Sequence, residues 1–218
     1  MTVVVMIADL VRSRVIPDRA DFQRRLAGSL QELDVLAGSE LLSPGTITLG
    51  DEFQALFRSF HGILPWLPVL LSRIAPVAAR FALAAGPLST DINPKAALAM
   101  DGPAFIAARE LLTRLKSQRR TVIQATGVGR PAPALANAAL SLLAGMMEGW
   151  KPGTHAILGR LASGQSVDEI AQGLGLSTRG VYKHQAGRHL PEVRRLLQQA
   201  AQDLDERFLA CPDDGERP

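Results

Sequence analysis

The sequence predicts an α+β protein, with a βαββαβ sheet domain over residues 1–150 and a small all-α domain over 151–210. Three observations predict it. Thr2 to Ala8 is an unbroken run of β-branched and apolar residues, the pattern of a strand buried on both faces. Thr46–Leu49 and Phe53–Phe57 flank Gly50-Asp51, as two strands of a hairpin do. SVDEIAQGLGLSTRGVYKHQ, from Ser166 to Gln185, carries the small and apolar positions of a helix-turn-helix.

The elements follow in order. After the first strand, Pro17 can open a helix in which Phe22, Leu26, Leu30, Leu33 and Leu36 recur three or four apart; it stops at Gly38. Ser43-Pro44-Gly45 reads as a turn, and the hairpin follows. Residues 60–74 read as an apolar helix and Ala79–Ala85 as a strand closed by Gly86-Pro87. A loop or short helix over 94–101 leads to a helix from Gly102-Pro103 to about Lys116. Arg120–Thr126 is the last strand, and 131–149 an Ala- and Leu-rich helix. This order is the split βαβ, ferredoxin-like arrangement with an added unit. In it the first strand lies beside the hairpin, which would bring Asp9 and Asp51 to neighbouring points on the edge of the sheet. Gly149 to Gly153 breaks the helical pattern and marks the domain boundary. Helices over about 154–163, 167–174, 178–189 and 191–208 follow, with a disordered tail at 211–218.

Composition narrows the function. The net charge of +3 does not announce nucleic-acid binding, so a local basic patch would have to supply it. The one cysteine, Cys211, allows no disulfide framework and suits a reducing, cytoplasmic setting. The start meets a charge at Asp9, too early for a signal peptide or membrane span. The most apolar window, Ile63–Val77, is interrupted by Pro65, Pro68, Arg73 and Pro76, so no membrane partner is expected. His61, His155, His184 and His189 show no zinc spacing.

In the helix-turn-helix, Ala171 must be small where two helices cross, and Gly175 supplies the positive φ of the turn. Ile170, Leu174, Leu176 and Val181 fill the core between the helices. Ser177 is an N-cap, and Thr178, Arg179, Tyr182, Lys183 and Arg188 are presented to a major groove of double-stranded DNA. The pattern I-A-x-x-L-G-L-S-x-x-x-V-x-x-H resembles the helix-turn-helix of LuxR-type regulators and sigma factors over residues 154–190. A small helical appendage for packing or dimerisation is the competing reading. One copy would bind weakly, so a homodimer spanning two half-sites is expected.

Asp9 ends an apolar strand, where a buried charge is costly unless paired or metal-bound, and Asp51 stands in the hairpin turn. Two such carboxylates suit a hard cation shared with phosphate oxygens, making Asp9 and Asp51 the metal candidates and Mg²⁺ the candidate cofactor. Arg109 also reads as a surface cation paired with Glu110 or Asp101, and Glu52 and Gln54 as the solvent face of their strand.

ADLV, TLGDEFQAL, RFALAAG and AFIAAREL occur in the order of the corresponding motifs of class III nucleotidyl cyclases, and GDEF resembles the diguanylate cyclases that share their palm fold. The chain is most similar to the SatD family. That resemblance rests on Asp9-Leu10-Val11-Arg12-Ser13-Arg14, Leu49-Gly50-Asp51-Glu52-Phe53-Gln54, and Gly102-Pro103-Ala104 with Ala108-Arg109. It implies a cyclase-palm-like sheet domain, a helix-turn-helix after it, and a setting in bacterial stress response. The cyclase resemblance implies metals on Asp9 and Asp51, a nucleotide ligand with phosphates at Arg12, Ser13, Arg14, Gly50 and Arg109, and a catalytic role for Arg109. Three departures oppose turnover. The phosphate loop has Arg12-Ser13 instead of Gly-Phe, the base-selecting lysine falls at Ile47, and the transition-state asparagine at Phe105. Losing one such donor costs about 3 kcal/mol of barrier. The expected function is a DNA-binding transcriptional regulator whose palm-like domain senses a phosphorylated ligand. A metal-dependent nucleotide-processing enzyme and a non-catalytic interaction protein are the alternatives.

Overall fold

A computed structural model describes residues 1–209. The tail expected over 211–218, with Cys211, lies outside the described residues, and so does the side chain of Arg14. The protein is α+β, with a five-stranded mixed sheet and eight α-helices among the described residues.

The strands are β1 (Thr2–Leu10), β2 (Leu41–Leu49), β3 (Glu52–Phe57), β4 (Ala79–Pro87) and β5 (Val122–Gly127), in the spatial order β2-β3-β1-β4-β5. β1 is antiparallel to both β3 and β4, β2 is antiparallel to β3, and β5 runs parallel to β4. β1 is buried from Val3 to Leu10, as its apolar run requires. Its even-numbered residues pack with α1 (Arg19–Ala37), α2 (Leu67–Ile74) and α4 (Ala134–Glu148). Its odd-numbered residues Val3, Val5 and Ile7 pack with α3 (Pro103–Leu115) on the other face.

Three local expectations are corrected. Ser43-Pro44-Gly45 does not turn the chain; it lies within β2, at register shifts against β3. An edge strand tolerates a proline at such an irregularity because no ladder hydrogen bond is lost. The helix expected from residue 60 begins only at Leu67, after a series of turns that includes Pro65, whose nitrogen cannot donate to a helical ladder. α1 is opened not by Pro17 but by Asp18, whose carboxylate accepts the Asp21 N–H at 3.0 Å.

Helices α5 (Pro152–Ala162), α6 (Val167–Leu174), α7 (Thr178–Arg188) and α8 (Leu190–Phe208) follow. The buried core continues past residue 150 into them. α5 lies against α2 so closely that a Cβ on Gly159 would fall 2.0 Å from Val69 Cγ2. At the far end of α8, Phe208 packs on Phe60 with ring centroids 6.2 Å apart. Asp205 there accepts the main-chain N–H groups of Phe60 at 2.7 Å and His61 at 3.2 Å. No described helix is long and apolar enough to cross a membrane.

Candidate functional site

The end of β1 brings Asp9 opposite Glu52 on β3 and Arg80 on β4. Residues directly opposed across a sheet point to the same face, so the three form a row on the α3 side. All three are buried, at 7%, 7% and 8% exposure. Arg80 Nη1 donates to Asp9 Oδ2 at 2.8 Å, and its Nε donates to the Gln118 carbonyl at 2.7 Å. From α3, Arg109 donates to Glu52 Oε2, and just past the helix Lys116 Nζ lies 3.5 Å from Glu52 Oε1. Two buried carboxylates are thus matched by three cations. Asp9 Oδ1 is buried without a hydrogen-bond partner. Burial raises the Asp9 carboxyl above the usual carboxylate range, opposed by the Arg80 guanidinium.

Asp51 sits beyond this row in the hairpin turn. Its Oδ2 accepts the Ser13 hydroxyl at 2.7 Å, and its carbonyl accepts the Leu10 N–H at 2.9 Å. Gly50 has φ 32°, and a Cβ there would lie 2.8 Å from Arg19 Nη2, so glycine gives that guanidinium room. Arg12 is exposed and left-handed at φ 56°.

For a resident Mg²⁺ this donor set is a poor fit. The oxygen chemistry is right, but each of the three carboxylates already meets an arginine or a hydroxyl. Among the described residues no three His, Cys, Asp or Glu side chains are grouped to hold a metal.

The second region is built by α6 and α7. Ser166 and Glu169 form a reciprocal capping box at the start of α6. The Ser166 N–H and hydroxyl both donate to Glu169 Oε2 at 2.7 Å, and they pull the Glu169 carboxyl below its usual range. Gly175 ends α6 at φ 63° and ψ 33°, the left-handed cap that glycine adopts without strain. Ser177 then accepts the Gly180 N–H at 3.1 Å and opens α7. Ile170, Ala171 and Val181 are buried. Val181 is the one buried residue of α7. Ser177, Thr178, Arg179, Tyr182, Lys183 and Arg188 are all exposed.

A family model described as the SatD family matches residues 3–122, more than half of the chain. The chain belongs to the SatD family. The matched stretch holds Asp9, Glu52, Arg80, Arg109 and Lys116 and ends at the start of β5, before α6 and α7. No curated protein matches the chain. A solved structure titled as a regulator of polyketide synthase expression from Bifidobacterium adolescentis shares 13% identity over 94% of this chain and 86% of that one. Its TM-score is 0.28, a value at which the likeness carries no inference.

In this SatD-family chain, Asp9, Ser13, Gly50 and Asp51 gather at one end of the sheet, and Arg109 joins them through Glu52. Arg109 pairs with neither Glu110 nor Asp101. Glu52 and Gln54 are not a solvent face; both are buried, and Gln54 Nε2 donates to the Ala97 carbonyl. Arg80 carries a sequence signal of its own, since an arginine inside the apolar run Ala78–Ala85 is a cost that calls for a partner. His155 is buried against Trp150 at 5.6 Å between ring centroids, a burial that its isolated place in the sequence does not signal.

Proposed function

We propose that this protein is a DNA-binding transcriptional regulator, with α7 as the recognition helix and residues 151–210 as the DNA-reading unit. The observation that supports it most is the asymmetry of α7: eleven residues held by one buried side chain, Val181, with a polar and basic face turned outward. A helix kept for packing would bury more of itself. Arg179, Lys183 and Arg188 supply phosphate contacts, while Thr178 and Tyr182 stand where base edges would be met. Specific binding would require a homodimer on two half-sites.

The sheet part would act as the sensor. The strand order β2-β3-β1-β4 is that of a split βαβ sheet, which supports the ferredoxin-like, palm-like reading. Arg109 and Lys116 are about half exposed where they meet Glu52, so a phosphorylated ligand could take them from that carboxylate.

The test is an electrophoretic shift at low salt with DNA from upstream of the protein's own coding region. Binding should weaken in Arg179→Ala and Lys183→Ala, with the salt slope falling by about 0.9 for each phosphate contact removed. No shift at low salt, or a shift indifferent to both substitutions, refutes the assignment of α7.

A further inference from the structure

A groove runs from the Arg12–Pro17 segment, past the Ala75–Ala78 turn, to the junction of α4 and α5. Its outer part has a volume of about 620 Å³ and its inner part about 350 Å³, each within the range of small-molecule sites. The two share Ala75, Pro76, Val77, Ala78 and Glu148 as a common wall.

The inner part is apolar except at a few points. Trp150 and Met147 form much of its lining, with His155 beside them. His155 is only 4% exposed, and its Nδ1 is buried with no hydrogen-bond partner. The carbonyls of Met147 and Trp150 lie beside the ring, and burial pushes its pKa down to about 4. At neutral pH the ring is therefore uncharged, and in the tautomer with its proton on Nε2 the Nδ1 atom is an acceptor. A buried acceptor without a donor costs free energy, and a ligand donor would remove that cost.

The outer part carries the opposite chemistry. Arg12, Arg25 and Arg119 line it above an apolar floor that includes Ile16 and Phe22. Arg25 leans on Asp21 at 3.1 Å. Arg12 and Arg119 take part in none of the ion pairs among the described residues. Glu148 is the opposing charge, and its Oε1 is 3.4 Å from the Thr121 N–H.

We propose that this groove binds a small aromatic acid: a flat ring with one hydrogen-bond donor in the Trp150–His155 chamber, and a carboxylate or phosphate held by Arg12 and Arg119. The site lies where it can influence α7. Thr154, next to His155, meets His184 of α7 at 3.0 Å, so a ligand seated against His155 bears on the helix pair that presents the basic face. The ligand site itself does not depend on the DNA reading and is tested without DNA.

Saturation-transfer NMR on the full chain, with 4-hydroxybenzoate, benzoate, phenyl phosphate and inorganic phosphate, tests it. Ring protons of the aromatic acids should receive transfer, with 4-hydroxybenzoate the tighter binder of the two carboxylates. Whichever of benzoate and phenyl phosphate, both without a ring hydroxyl, binds more tightly identifies the anionic group. Inorganic phosphate should compete weakly. Ala144→Phe fills the chamber and should abolish transfer. Arg119→Ala, a surface change that leaves the core intact, should weaken binding about tenfold. The proposal is overturned by absence of transfer to every aromatic probe at millimolar concentration, or by transfer that Arg119→Ala leaves unchanged.

Discussion

Acidification from neutral to about pH 4.5 should weaken the fold through His155. Its ring is buried among apolar groups and its pKa falls from 6.5 to about 4. Between those values the unfolded chain binds a proton that the folded chain refuses. The histidine's contribution is therefore complete above about 6.5 and is lost as pH falls toward about 4. At ~1.4 kcal/mol per unit the loss approaches about 3 kcal/mol, a large part of a typical domain's stability of roughly 5–15 kcal/mol. Asp9 and Asp34 have the opposite sign. Burial raises both carboxyls, so each favours the folded state more as pH falls through its raised value, masking part of the histidine effect. The histidine must therefore be isolated by substitution. Urea unfolding of the wild type and His155→Phe, which keeps an aromatic ring beside Trp150, should be measured at both pH values. The variant should lose about 3 kcal/mol less on acidification. Parallel losses in the two proteins would show that His155 already carries its proton in the folded state, and the burial argument would fail.

Arg80→Ala should cost about 3–5 kcal/mol because it leaves the buried Asp9 carboxylate without its partner. Adding Asp9→Ala should recover most of that in urea unfolding, and no recovery would mean that Arg80 acts through packing. Asp205→Ala leaves the Phe60 and His61 N–H groups unpaired and should cost about 1–3 kcal/mol, with faster hydrogen exchange at those two amides. Gly175→Ala places a Cβ at φ 63° and should cost about 1 kcal/mol, read as a lower thermal midpoint.

What the sequence made legible was local. β1 and β4 are nearly continuous apolar runs, α1 has a heptad-like stripe, and Gly175 and Ser177 mark where the chain turns between α6 and α7. What it hid was distant. Glu52 alternates with Phe53 and reads as solvent-facing, yet α3, fifty residues on, covers it and supplies Arg109. The Asp205 carboxylate looks like one more charge on an amphipathic helix, and its partners lie 145 and 144 residues back at Phe60 and His61. Alternation reports which residues share a face, not which face another element will cover.

That distinction bears on the paired aspartates. Seen along the chain, Asp9 and Asp51 suggest a metal site; in three dimensions Asp9 belongs to an ion-pair row and Asp51 to a turn closed by Ser13. Buried ion pairs seldom stabilise a fold more than apolar residues of the same volume would. A row of three buried charges at a strand end, braced by two partly exposed cations, is therefore an expensive way to make a core. Its cations outnumber its carboxylates, and the outer groove with Arg12, Arg25 and Arg119 opens close by, past the end of β1. Both features favour an anion at this end of the sheet over a further cation. That preference makes a phosphorylated or carboxylated ligand the simpler occupant than Mg²⁺ alone.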